Sequence, residues 1–356
     1  MARIASIAPA LPEYVYPQSE ITATIGPLIT ADPKKFALLQ RLHESSRVDF
    51  RHFALPLERY EEALTFTQTN GTFIEIAADL AERSLRDALA KADLDATDID
   101  YIVFTSITGI SAPSIDALLV ARLGLRSDVK RVPIYGLGCV AGAAGIARVN
   151  DYLAGHPDEV AALVSVELCS LTLQRGDDSV ANLVASGLFG DGAASVVMVG
   201  EDRAKRMPVT GPDVVATRSQ LYPDTEDVIG FNTTETGFRI VLSARVSEVV
   251  AENFGSDVST FLAESDRGVS DIDRWVAHPG GPRVLEAFAE TLELDSGSLD
   301  VSWDSLGRVG NLSSASVLHI LADQIEAEPH VAGDTTALFA LGPGVSAELV
   351  LLEWPA

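Results

Sequence analysis

A chain of 356 residues, 47% hydrophobic and 22% charged, is long for a single core, so two domains or one duplicated unit is expected. A formal net charge of −25 repels a polyanion at long range and argues against nucleic acid as a partner, leaving a well-solvated surface as its ordinary meaning. Two cysteines cannot build a disulfide framework, no CxxC or HExxH spacing suggests a metal, and no apolar run resembles a membrane anchor.

In chain order, the opening MARIASIAPALPEYVYP is interrupted by prolines and Glu13, unlike a signal peptide, so a cytoplasmic protein with reduced thiols is expected. Residues 73–92 carry the period of an amphipathic helix, and ATDIDYIVFTSITG (96–109) then runs into a short apolar strand. ALLVARLGL (117–125) is helical in period, and GLGCVAGAAGIARVNDYL (136–153) is a glycine turn opening a small-residue helix. AALVSVE (161–167) and ASVVMVG (194–200) read as buried strands. The polar stretch 201–212 divides the chain into an N-terminal half, 1–205, and a C-terminal half, 206–356.

The second half answers the first. A helix over roughly 246–264 precedes GVSDIDRWVAHPGG (268–281), RVLEAFAETLEL (283–294) is again helical, and GRVGNLSSASVLHILADQI (307–325) is again a glycine turn before a helix. TALFALG (336–342) and AELVLLE (347–353) close the series as buried strands. The offset stays near constant, 173 residues between Ile99 and Ile272 and 172 between Cys139 and Asn311. Two similar α/β halves follow, and a pseudo-two-fold between them would bring Cys139, Asn311 and His278 to one centre.

Cys139 is either a small buried thiol or a nucleophile. A helix N-terminus favours the thiolate, and Gly142 and Gly145 inside a helix, each costing about 1 kcal/mol against Ala, suit a helix closely approached by other backbone. His278 follows an apolar strand and precedes a Pro-Gly-Gly turn, the only one of six histidines with a glycine-rich turn to admit a ligand. Asn311 would by default cap a helix, and its repeat equivalence to Cys139 promotes it.

Cys139 in GLGCVAG, Phe189 in LFGDGAA, His278 in AHPGGP, Asn311 in GNLSSAS and the GPG loop Gly342–Gly344 together resemble the type III polyketide synthases, the chalcone synthase-like enzymes. The resemblance spans nearly the whole chain. It implies a homodimer of thiolase fold, layered α/β/α/β/α, with Cys139 as acyl-carrying nucleophile and His278 and Asn311 as its partners. It implies loading of an acyl-CoA starter, extension by decarboxylative condensation with malonyl-CoA and cyclisation, with no cofactor and no metal. Phe189 matches a gatekeeping aromatic; Phe231 and Phe238 both lie near the segment of a second. Counting from Cys139 places Thr108, Ala112, Cys169 and Thr172 on the elongation cavity, with Leu341, Gly342 and Pro343 on its wall. Arg41, Arg47 and Arg51 fall in the family's CoA-binding region, with Arg47 favoured, and Gly280 and Gly281 are expected against the pantetheine arm. The small Ala112 and Cys169 point to an aliphatic starter, long-chain in the extreme, and to a pyrone or resorcinol, as in bacterial alkylpyrone and alkylresorcinol synthases. Leu341 stands where the family usually has Phe. A ketoacyl-acyl carrier protein synthase III-like condensing enzyme is the alternative, disfavoured by the acidic charge and the AHPGG motif, and a non-catalytic relative with the same fold is a third reading.

Overall fold

In the computed structural model, which describes residues 1–327 and 329–355, the strands expected from the repeat all form. Nine of them make one sheet: β1 (Arg3–Ala10), β2 (Ile99–Thr105), β3 (Lys130–Ile134), β4 (Val160–Leu168), β5 (Asp191–Val199), β6 (Asp213–Leu221), β7 (Arg274–Ala277), β8 (Thr335–Gly342) and β9 (Ser346–Glu353). Every residue of β4, β5 and β8 is buried, as continuous apolar runs covered on both faces should be.

The order across the sheet is β7-β8-β9-β6-β1-β5-β4-β2-β3. In the first half β1 runs antiparallel to β5, β5 antiparallel to β4, and β4 parallel to β2. In the second, β6 runs antiparallel to β9, β9 antiparallel to β8, and β8 parallel to β7. The four strands of the second half therefore repeat the order and directions of β1, β5, β4 and β2, and edge strand β3 has no counterpart. The halves join where Arg3 pairs with Asp213, and the Arg3 guanidinium grips that carboxylate through two bonds of 2.8 and 2.9 Å.

The principal helices are α1 (Gln18–Ile29), α2 (Pro33–Glu44), α3 (Phe66–Lys91), α4 (Ile115–Leu123), α5 (Ala141–Gly155), α6 (Val180–Leu188), α7 (Gly255–Ala263), α8 (Pro282–Thr291), α9 (Asp300–Val309) and α10 (Ser316–Ala327). Two of them, α5 and α10, are the repeat-equivalent pair, and they touch each other. Helix α5 also touches β2, β4 and β5 of the first half and β6, β8 and β9 of the second. This central position explains its small residues. A Cβ on Gly142 would lie 2.2 Å from the Ser314 carbonyl oxygen, and one on Gly145 would lie 2.4 Å from Leu163.

Two elements differ from expectation. Helix α3 begins at Phe66 rather than near residue 73, because Thr65 caps it: the Thr65 hydroxyl accepts from the Gln68 N–H at 3.3 Å, and Gln68 Oε1 accepts from the Thr65 N–H at 2.9 Å. The segment 246–264 is helical but carries a π turn, Val250–Phe254, between two α segments. Pattern reading also gave no hint of the hairpin Ile229–Thr234 with Gly237–Leu242, which closes over the site described next.

Candidate active site

Cys139 sits in a single 3₁₀ turn, Gly138–Val140, that opens directly into α5. Gly138 has φ +55°, and a Cβ there would meet Pro343 at 2.7 Å, so the turn needs glycine both for its backbone and for the packed GPG loop. The thiol is partly buried, and its Sγ lies 3.5 Å from the Ser313 hydroxyl. Burial pushes the thiol up to about 12, while the Ser313 contact acts in the opposite direction. The helix N-terminus, expected from sequence to favour the thiolate, is outweighed by desolvation.

His278 and Asn311 come from the other half. His278 follows β7, held where its backbone N–H donates to the Phe339 carbonyl at 3.0 Å, and burial lowers its imidazole to about 3. Asn311 Nδ2 stands 3.5 Å from His278 Nε2, and Asn311 Oδ1 accepts from the Ser313 N–H at 2.8 Å. Asn311 is therefore no helix cap. It is pinned by its own backbone to Leu188 and Gly190, in a one-residue bridge with Phe189. A contiguous run of polar contacts, Cys139 to Ser313 to Asn311 to His278, crosses from one repeat to the other. His278 Nδ1 is buried with no partner among the described residues.

Cys139 and Ser313 lie on the wall of a narrow, largely apolar cavity of about 80 Å³. Of the residues expected there, Thr108, Cys169, Thr172, Phe189 and Pro343 line it, as do both Phe231 and Phe238. Gln174 ties the covering hairpin down, its Nε2 donating to the Phe238 carbonyl at 3.2 Å and its Oε1 accepting from Thr236 at 2.6 Å.

Several expected positions fall elsewhere. Ala112 is exposed on the loop before α4 and does not line the cavity, so its small size opens no volume inside this chain. Leu341 packs into the core of the second half, and Gly342 presses against the Leu137 carbonyl and Val140, so of the GPG loop only Pro343 reaches the cavity. Arg41 and Arg47 are exposed and also lie outside the cavity wall. Arg47 stacks over Trp303 at 4.6 Å and reaches Glu286 of α8 at 3.9 Å, which puts it beside the helix that Gly280 and Gly281 lead into. Gly281 has φ +133° and faces Leu188.

Sequence reasoning missed Glu167. It is fully buried at the end of β4, accepting from Ser313 at 3.2 Å, from Thr108 Oγ1 at 2.9 Å, from the Ile107 N–H at 3.1 Å and from Ser314. Burial pushes its carboxyl up, and its charge in turn raises the Cys139 thiol. The signal was present as a lone acid closing the otherwise apolar run AALVSVE. Ser313 was missed too, since only the fold brings it to a thiol 174 residues away. Among the described residues no group of His, Cys, Asp and Glu is placed to hold a metal ion, and no helix is long and apolar enough to cross a membrane.

Duplicated halves clasping two central helices, with a lone thiol where the first begins, define a thiolase-fold acyltransferase. The comparisons with known proteins narrow that class. The sequence model of the chalcone and stilbene synthases, N-terminal domain, matches residues 1–203, and that of the C-terminal domain matches 213–354. The chain belongs to that family and is a type III polyketide synthase. It is 51% identical over 351 residues to the 1,3,6,8-tetrahydroxynaphthalene synthase of Streptomyces peucetius, covering 99% of this chain and 93% of that one. It is 31% identical to an alpha-pyrone synthesis polyketide synthase-like protein of Mycobacterium tuberculosis, over 99% and 91% of the two chains. The crystal structure of the Streptomyces coelicolor 1,3,6,8-tetrahydroxynaphthalene synthase superposes with a TM-score of 0.93 at 32% identity, over 99% of each chain. The ketoacyl-acyl carrier protein synthase alternative gives way to this family match.

Proposed function

We propose that Cys139 carries a growing acyl chain, that His278 and Asn311 serve it, and that the chain is built from malonyl-CoA into a polyhydroxylated aromatic of the tetrahydroxynaphthalene kind. The run of contacts from Cys139 through Ser313 and Asn311 to His278 is the observation that supports the catalytic roles. Burial favours the neutral form of both thiol and imidazole. Attack on a CoA thioester thus moves the thiol proton to His278, and the acyl group passes to sulfur as CoA thiolate leaves. Two donors 3.5 Å apart, on His278 Nε2 and Asn311 Nδ2, can share one oxygen. That oxygen is the enolate formed when a malonyl-CoA bound there loses carbon dioxide. The resulting carbanion attacks the Cys139 thioester and frees the sulfur, to which the lengthened chain returns.

The product class rests on the 51% identity to a tetrahydroxynaphthalene synthase. A naphthalene oxygenated at alternate positions and bearing no side chain is the pattern of a chain made wholly of two-carbon units, so no separate starter is needed. An aliphatic starter leading to a pyrone or resorcinol is the second reading, favoured by the apolar wall that continues past Cys169 to Ile25, Leu173 and Ala185. Mass spectrometry of products from malonyl-CoA alone and from malonyl-CoA with a panel of acyl-CoA starters separates the two. We expect an aromatic product from malonyl-CoA alone and none from Cys139→Ala; elongation by Cys139→Ala at the parent rate would overturn the mechanism. A homodimer is also expected, since edge strand β3 and its flanks expose Ile110, Val132 and Tyr135. A sedimentation mass of one chain at micromolar concentration would count against it.

A further inference from the structure

Arg51 is the largest fully buried side chain among the described residues, with 2% of its surface exposed, and it lines the cavity that holds Cys139. Two of its three nitrogens are used. Nε donates to Gln18 Oε1 at 3.0 Å, and Nη1 donates to the Phe189 carbonyl at 2.8 Å. Gln18 is itself fixed to the Gly187 carbonyl at 2.6 Å, so the guanidinium is held rigidly against the end of α6. Nη2 is buried and meets no partner among the described residues.

Nor, among the described residues, does any carboxylate pair with this cation directly. The carboxylate that acts on it through space, Asp191, is spent on the Ala54 N–H at 2.6 Å, the Ser170 N–H at 2.7 Å and the Ser170 hydroxyl. A buried guanidinium without a touching counter-ion is costly, and the Phe53 ring, 5.4 Å from its central carbon, offsets only part of that cost. The remainder of the wall near it is apolar or neutral: Ile25, Phe53, Cys169 and Ala185. A fixed fork with one buried, unpartnered donor behind such a wall is suited to a carboxylate that enters the wall beside it.

We propose that Arg51 is a specificity-determining residue that receives, at Nη2, the free carboxylate at the distal end of an acyl chain held on Cys139. The substrate class is a carboxylate-ended acyl group, of which a malonyl unit that has kept its carboxyl group while serving as starter is the smallest example. This rests on the reading that malonyl-CoA alone supplies the chain. A neutral alkyl starter in the same place would leave Nη2 unpaired, so the site selects against it by the cost of an unsatisfied buried donor.

The test compares the parent with Arg51→Met and Arg51→Lys, each given malonyl-CoA alone or malonyl-CoA with hexanoyl-CoA, with products quantified by mass spectrometry. In Arg51→Met the ratio of malonyl-primed to hexanoyl-primed product is expected to fall tenfold or more, with Arg51→Lys between it and the parent. An equal fall in both products would show that Arg51 only holds Gln18 and Phe189, and an unchanged ratio would likewise overturn the proposal. A second measurement leaves the parent chain intact, so folding of a variant is not at issue. Succinyl-CoA should suppress hexanoyl-primed product at concentrations at least tenfold lower than butyryl-CoA of the same carbon count; equal potency refutes carboxylate recognition. If the parent makes nothing from malonyl-CoA alone, the product reading fails on its own, and the competition result still judges Arg51.

Discussion

Replacing Gly142 by alanine tests whether α5 is a central helix built around the site. Inside a helix, alanine gains about 1 kcal/mol over glycine. Here the added Cβ would sit 2.2 Å from the Ser314 carbonyl oxygen and 2.9 Å from Val317, against ordinary contacts of 3.4 Å or more, so α5 and the start of α10 must separate by about 1 Å. Overpacking of this kind costs roughly 1–3 kcal/mol, more when the obstacle is backbone that cannot rotate away, so a net loss of about 1–2 kcal/mol is expected after the propensity gain. Gly71→Ala is the control. It lies inside α3 with nothing within 4 Å of the new Cβ, and should gain close to the full ~1 kcal/mol. Thermal unfolding by calorimetry should place Gly142→Ala below the parent and Gly71→Ala above it. Ser314 also bonds Ser165 and Glu167, and its neighbour Ser313 touches the thiol, so Gly142→Ala should slow product formation as well. A Gly142→Ala protein as stable and active as the parent would refute the close approach of the two central helices.

Glu167→Gln removes the charge that raises the Cys139 thiol while keeping an acceptor for its donors. The pH midpoint for alkylation of Cys139 by iodoacetamide, followed by peptide mass spectrometry, should shift downward, and an upward shift or none would contradict the electrostatic link. Burial holds His319 at about 4, its Nε2 2.8 Å from the Ala193 carbonyl, whereas the unfolded chain titrates near 6.5. Below that unfolded value the unfolded state takes up a proton that the folded state does not, so stability is lost as pH falls from about 6.5 towards 4, by roughly 2 kcal/mol at pH 5. In His319→Gln the loss between pH 7 and pH 5, read from urea midpoints, should shrink by about that amount; an unchanged pH dependence would mean His319 charges within the fold.

The duplication was legible because each half repeats the same strand order, and strands such as TALFALG and ASVVMVG must be continuous apolar runs to be covered on both faces. Cys139 and Asn311 stood out in the sequence because the repeat makes them equivalent, and His278 because a glycine-rich turn follows its strand; the fold brings Asn311 within 3.5 Å of His278, and their catalytic roles belong to the proposal. Ala112, Leu341 and Gly342 were misplaced for a different reason. Counting along a chain fixes which loop a residue occupies but not the side of that loop that faces the cavity, and a loop has no period from which to read its facing. Glu167 and Ser313 were overlooked because their meaning is a hydrogen bond at 3.2 Å between residues 146 positions apart.

The repeat also accounts for why the two equivalent turns are not equivalent in chemistry. Both lead through a 3₁₀ turn into a central helix, at Gly138–Val140 and at Ser313–Ala315. In the first, positive φ falls on Gly138, which seats the thiol directly before the helix. In the second the equivalent Gly310 also has positive φ, +74°, but a further one falls on Ser313, with φ +50°, and the Asn311 side chain accepts from that residue's N–H. This rearrangement aims the Asn311 amide nitrogen at His278 and turns the Ser313 hydroxyl towards Cys139. Two matched thiols facing each other across the pseudo-axis would offer a pair of nucleophiles and no donors for a developing oxyanion. On the reading proposed above, one half supplies the nucleophile and the other the donors around it, so the condensation would depend on both halves at every step.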